Sequence, residues 1–226
     1  MPLSLFFAEL EALADAMEED PTVQADFDAF VAARELSPTA ALRRDFARVK
    51  LAFEATRDGG WWHLRWAITN RKPNSEAIWS QWRDGPALFD ANGHPLASAT
   101  AECDELSALF AFVVRQLGVD KVGLFWPEWN HVVAVWSVAQ ADVTHRIVVP
   151  TSQIFLSANA SLGDDGFNPW TQKTIFTYRR KDTSLRGSLP GDVADAFIRQ
   201  AWRHAFEDQS TAQQRRNGRS RVLDGS

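Results

Sequence analysis

Residues 100–118 read TAECDELSALFAFVVRQLG, and the fold class turns on them. Leu106, Leu109, Phe110, Val113, Val114 and Leu117 recur at spacings of three and four, the period of one helical face, which predicts a long helix. Thr100 stands where a cap would start it and Gly118 where a left-handed residue would end it. The opposite face carries few charges, so the helix belongs in the centre of the molecule. Downstream, Val122 to Phe125 and His131 to Val138 read as strands, Gln140-Ala141-Asp142 as a turn, and Arg146 to Val149 as a returning strand. A central helix followed by an antiparallel hairpin predicts an α+β fold, with the helix packed on the sheet.

Upstream, Leu3, Phe6, Phe7, Leu10, Leu13 and Ala14 form an apolar helical stripe, and Phe27, Phe30 and Val31 repeat it. Asp20-Pro21 and Ser37-Pro38 are readable helix starts, because a short polar acceptor before proline answers the first free amides. After the pair Gly59-Gly60, the run Trp61 to Ile68 reads as a strand entered from a turn, and Trp79 and Trp82 share one side of a short helix. Beyond Pro150 the chain turns irregular, with a short strand expected around Thr174 to Tyr178 and a last helix from Asp192 to Glu207. The expected organisation is an N-terminal helical region over 1–58, an α+β body over 59–212 and a disordered basic tail over 213–226.

Composition narrows the function. The 226 residues are 45% hydrophobic and 23% charged, the make-up of a globular chain. A formal charge of −5 argues against nucleic acid as the partner, since coating phosphates needs a basic surface. No window is apolar enough to span a bilayer, so no membrane association is expected. Cys103 is the only cysteine, which excludes an intrachain disulfide and, with no readable leader, suggests the cytoplasm. No paired His or Cys spacing supports a metal, and no motif calls for a cofactor. Asp164-Asp165-Gly166 with Asn159 lacks the alternating ligands of a calcium loop.

Chemistry therefore concentrates on Cys103. In the first turn of the predicted helix, as its third residue, the thiol would sit near free backbone amides and the positive end of the helix dipole, which favour thiolate. Glu102 and Asp104 act against this, because neighbouring negative charge raises a thiol pKa. The cysteine also begins the buried stripe, as a small core residue would. His131, at the entrance to an apolar strand, is the base that could accept the thiol proton. His63 and His145 read as ordinary strand and turn residues.

The run Ala101 to Phe110 resembles the cysteine helix of the transglutaminase-like superfamily. Asn130-His131-Val132-Val133-Ala134-Val135-Trp136 resembles its histidine strand, and Arg146 to Thr151 the strand that follows. The resemblance covers about residues 98–151 and implies a papain-like fold with Cys103 as nucleophile and His131 as general base and acid. An aspartate that orients the histidine is expected where this chain has Val149, which cannot hold an imidazole tautomer. Gln153, then Thr151, then Asn168 are the candidates to replace it, since an amide or hydroxyl oxygen can accept from the ring.

Ten tryptophans stand against one tyrosine. Ten indole N–H groups are hard to satisfy in one core, so some of these rings are expected to line a groove, with Trp126 and Trp129 flanking the approach to His131 as substrate-binding residues. Two functions follow. The first is a cysteine hydrolase or acyltransferase acting on an amide or isopeptide bond of a peptide or protein through a thioester. The second is a catalytically inactive transglutaminase-like module that binds through a Trp-rich groove.

Overall fold

A computed structural model describes residues 1–128, 131–152, 176–177 and 186–206. The described chain is α+β. Helices α1 (Leu3–Glu18), α2 (Pro21–Ala33) and α3 (Ala40–Thr56) come first, then strand β1 (Leu64–Trp66), helix α4 (Glu76–Arg83), strand β2 (Ala99–Ala101) and helix α5 (Cys103–Gln116). Strands β3 (Val122–Glu128), β4 (His131–Gln140), β5 (Val143–Val149) and β6 (Phe176–Thr177) follow, and helix α6 covers 191–206. One sheet has the order β5-β4-β3-β6 with antiparallel neighbours, and β1 pairs with β2 in a separate parallel pair.

Local chemistry explains the elements. Asp20 caps α2 by accepting from the N–H groups of Thr22 and Val23, with Pro21 as the first helical residue. α3 is capped by Thr39, whose hydroxyl accepts from the Leu42 N–H, two residues later than the Ser37-Pro38 start read from sequence. Gly118, at φ +90°, ends α5, and the Val119 N–H returns to the Val114 carbonyl. The guanidinium of Arg48 answers the Leu117 carbonyl at 3.0 Å and pairs with Asp15 at 2.8 Å, tying α1 and α3 to the end of α5.

The three N-terminal helices share one apolar core with the body. Phe7 of α1 packs on Phe112 of α5 and on Trp79 of α4, while Phe6 meets Trp62. Trp62, Trp82 and Phe197 of α6 close the same cluster, with ring centroids 5.0 to 5.6 Å apart. Phe30 of α2 stacks on Trp136 of β4. The Met1 ammonium donates to the Leu189 carbonyl at 2.7 Å, so the chain start is fastened to the entrance of α6.

This packing revises the expectation about the tryptophans. Trp62, Trp79, Trp82 and Trp136 are fully buried. Two of their indoles find hydroxyl partners, Trp79 on Ser75 and Trp82 on Ser98. Core filling therefore accounts for four of the ten tryptophans, while Trp202 lines a groove along α6, in keeping with the expectation that some of the rings do so. Strand 61–68 also contracts to Leu64–Trp66, because residues 61–62 turn and His63 adopts φ +53°. Gly60 makes that turn possible: a Cβ there would stand 2.4 Å from the Glu54 carbonyl oxygen and 2.9 Å from that of Arg57. Gly60→Ala is expected to cost about 2 kcal/mol, the scale of overpacking against backbone that cannot yield. Gly93→Ala, with open space around it but φ +80°, should cost about 1 kcal/mol through backbone strain alone. Urea unfolding of the two variants checks the contrast.

Candidate functional site

Cys103 is the first residue of α5, and Glu102 is its N-cap. The sequence expectation of Thr100 as cap and Cys103 as third helical residue is corrected here. Thr100 lies in β2, where its N–H donates to the Gln81 side chain at 2.9 Å and its Cα pairs with that of Arg65. The helix begins only at Cys103, so Thr100 stands two residues before its cap.

The half-buried helix start is organised by acids. The Glu105 carboxylate accepts from the Glu102 N–H at 2.9 Å and from the Thr69 hydroxyl at 2.8 Å, and Arg71 stands 3.4 Å away. Glu102 accepts from the N–H groups of Thr69 and Asn70. Asp104 accepts from the Glu105 N–H at 2.7 Å. These bonds clamp the segment 69–71 across the helix start. Sequence reading missed this role of Glu102 and Glu105; their spacing of three was the visible signal.

The thiol lies against the start of β4. Backbone N–H groups of Val132 and Asp104 near the sulfur lower its pKa. One turn further along α5, the Ser107 hydroxyl donates to the Val132 carbonyl at 3.3 Å and shares a 3.1 Å hydrogen bond with the Thr151 hydroxyl. The reason is positional. Val132 falls at a bulge, between the pairs Phe125 with Val133 and Glu128 with His131, and the pairing of β5 with β4 starts only at Val149 with Ala134. Helix side chains thus serve the peptide groups at this end of the strand.

The His131–Val132 peptide is thus the part of β4 next to the thiol. Alternation along β4 puts Val132, Ala134 and Trp136 in the core with α5, and Val133 and Val135 in a separate cluster on the other face. His131 begins on that second face, opposite the face that packs on α5. Cys103 and His131 are both 4% exposed. Burial pushes the thiol pKa up, with Asp104 and Glu102 adding to it, and outweighs the two N–H groups. Burial also drives His131 down to about 4. Free thiol and imidazole titrate near 8.5 and 6.5; here they are moved apart, so the resting pair is neutral thiol and neutral imidazole.

The third position divides. Val149, where the resemblance expects an acid, is fully buried and lies opposite Ala134, three residues from His131. Thr151 is buried with its hydroxyl engaged by Ser107, and its carbonyl accepts from Asp58, whose carboxylate holds the Trp66 N–H at 2.7 Å. Gln153, Asn168 and Trp129 lie outside the described residues, as do Asn159, Asp164, Asp165 and the 213–226 tail. Trp126 is half-buried and packs against the core. Two polar atoms near this frame are buried without a hydrogen-bond partner, Ser152 Oγ and Trp66 Nε1. Among the described residues no group of three His, Cys, Asp or Glu side chains could hold a metal, and no helix is long and apolar enough to cross a membrane.

The chain matches no protein-family model, no curated protein and no solved structure. Its site is therefore argued from geometry and electrostatics.

Two opposed titrations test that electrostatic picture. The folded pKa of His131, about 4, lies below its unfolded value of about 6.5, so the unfolded chain binds the extra proton in that window and stability falls as pH drops through it. Asp104 is raised by burial to about 6 against about 3.9 unfolded, so the folded chain binds the extra proton and stability rises as pH drops. Each effect is worth about 3 kcal/mol and they offset. Asp104→Asn should lose about 3 kcal/mol between about pH 7 and pH 4, and His131→Gln should gain about as much, as read by denaturant titration.

Proposed function

We propose that this chain is a transglutaminase-like cysteine enzyme of papain-like fold that cleaves an amide or isopeptide bond in a peptide or protein. The observation that carries the reading is the placement of the Cys103 thiol at the first residue of α5 and against the His131–Val132 peptide. Two backbone N–H groups near the sulfur are what a developing thiolate needs.

Because both partners rest neutral, proton transfer accompanies attack. His131 takes the thiol proton as the sulfur bonds to the substrate carbonyl carbon and the carbonyl electrons move onto oxygen. Collapse expels the amine, which leaves with the proton from His131, and a thioester remains. Water then attacks with His131 again as base, and the acid departs with the thiol restored. Hydrolysis is preferred to crosslinking. A single free thiol used this way suits a reducing compartment such as the cytoplasm.

A second reading has its own support. Deep burial of both groups, the acids beside the thiol and the apolar Val149 fit the same scaffold with catalysis lost, serving as a binding or regulatory module.

Iodoacetamide labelling of Cys103 across about pH 5 to 8 separates the two readings. Under the enzyme reading the rate is flat over this range, since a base titrating at about 4 stays available throughout, and His131→Ala abolishes the plateau. For an idle buried thiol the rate climbs about tenfold per pH unit with the thiolate fraction and ignores His131. That result would overturn the catalytic assignment.

A further inference from the structure

Ser107 is fully buried in the apolar stripe of α5, where an alanine would fill the same place without taking a hydroxyl out of water. A serine inside a helix commonly returns its proton to a carbonyl of its own helix; this one donates across to the Val132 carbonyl of β4 at 3.3 Å. A hydroxyl has one proton and a carbonyl can only accept, so Thr151 is the donor in the 3.1 Å bond between the two hydroxyls. A directed chain results, from Thr151 to Ser107 to Val132.

This chain stands where a rung of the sheet is missing. β5 pairs with β4 as far as Val149 opposite Ala134, and the same register carried on would set Thr151 opposite Val132. Beyond Pro150, however, the Thr151 N–H turns back to the Val149 carbonyl at 3.1 Å, and the Thr151 carbonyl takes the Asp58 N–H at 2.8 Å. With the main chain of Thr151 engaged, the peptide groups of Val132 fall to α5. Cys103 and Ser107 are four residues apart and so neighbours on one helical face, and they stand at the Val132 N–H and carbonyl respectively. Val132 is held between the thiol and a pair of buried hydroxyls, and Thr151 ties that pair to the turn after α3.

We propose that Ser107 and Thr151 are positioning residues for the Cys103 thiol, acting through Val132 to keep its N–H at the sulfur. The inference rests on the reading of Cys103 as the reacting thiol. It supplies, from hydroxyls and main chain, a constraint on this end of β4 that the apolar Val149 does not offer.

NMR titration of the full chain, followed at the Cys103 Cβ and the Val132 amide proton, tests it. In the parent protein the Val132 amide is expected to shift with the same midpoint as the thiol, and an amide that ignores thiol ionisation would overturn the proposal. Ser107→Ala and Thr151→Val should each raise the thiol midpoint, so that the thiolate fraction at a given pH falls about threefold to tenfold, the scale of a weakened hydrogen bond to a charged group. Thr151→Ser keeps the hydroxyl and should titrate like the parent. A merely structural pair would lower the melting temperature and leave the midpoint in place. That result, or a Thr151→Ser midpoint displaced as far as that of Thr151→Val, would also overturn the proposal. These titrations involve neither substrate nor His131, so they fail independently of the catalytic reading, which is overturned by labelling that ignores His131.

Discussion

A helix that starts half-buried relies on the protein to answer its first amides, because water reaches them poorly. The start of α5 meets this condition with carboxylates, Glu105 taking the Glu102 N–H and Asp104 taking the Glu105 N–H. Much else hangs on that arrangement. The same acids hold the segment 69–71, and β2 reaches the helix start paired with β1. From the helix so placed, Cys103 and Ser107 reach the Val132 peptide groups at the open end of β4.

The arrangement sets the electrostatics of the thiol. Burial and two neighbouring carboxylates raise its pKa, two backbone N–H groups lower it, and the balance favours the protonated form. His131 is neutral for the same reason, burial. Asp104, half-buried and raised to about 6, contributes the opposite pH dependence one residue away.

Several parts of this were legible beforehand. Helical periodicity located α1, α2 and α5, and strand patterning located the hairpin of β4 and β5 around Ala141, which takes φ +47°. Asp20 and Gly118 ended up in the roles that their chemistry allows almost anywhere. The cap of α5 was not legible. Thr100 is the better cap by intrinsic preference, yet its pairing with Arg65 in a two-stranded ladder, a contact 35 positions away in sequence, removes it. Which tryptophans enter the core was likewise not legible, since Ser75 and Ser98 supply partners for buried indoles that no local pattern reveals.

By itself, then, the amino-acid order located most of the helices and the β4–β5 hairpin and singled out Cys103 and His131 as candidates, because periodicity, turn residues and functional groups are local properties. Tertiary structure decided their surroundings. It made Cys103 the first helical residue, set the Val132 peptide beside the thiol and committed the Thr151 hydroxyl to Ser107. Burial, hydrogen-bond partners and pKa depend on neighbours brought from distant positions, and only packing supplies those.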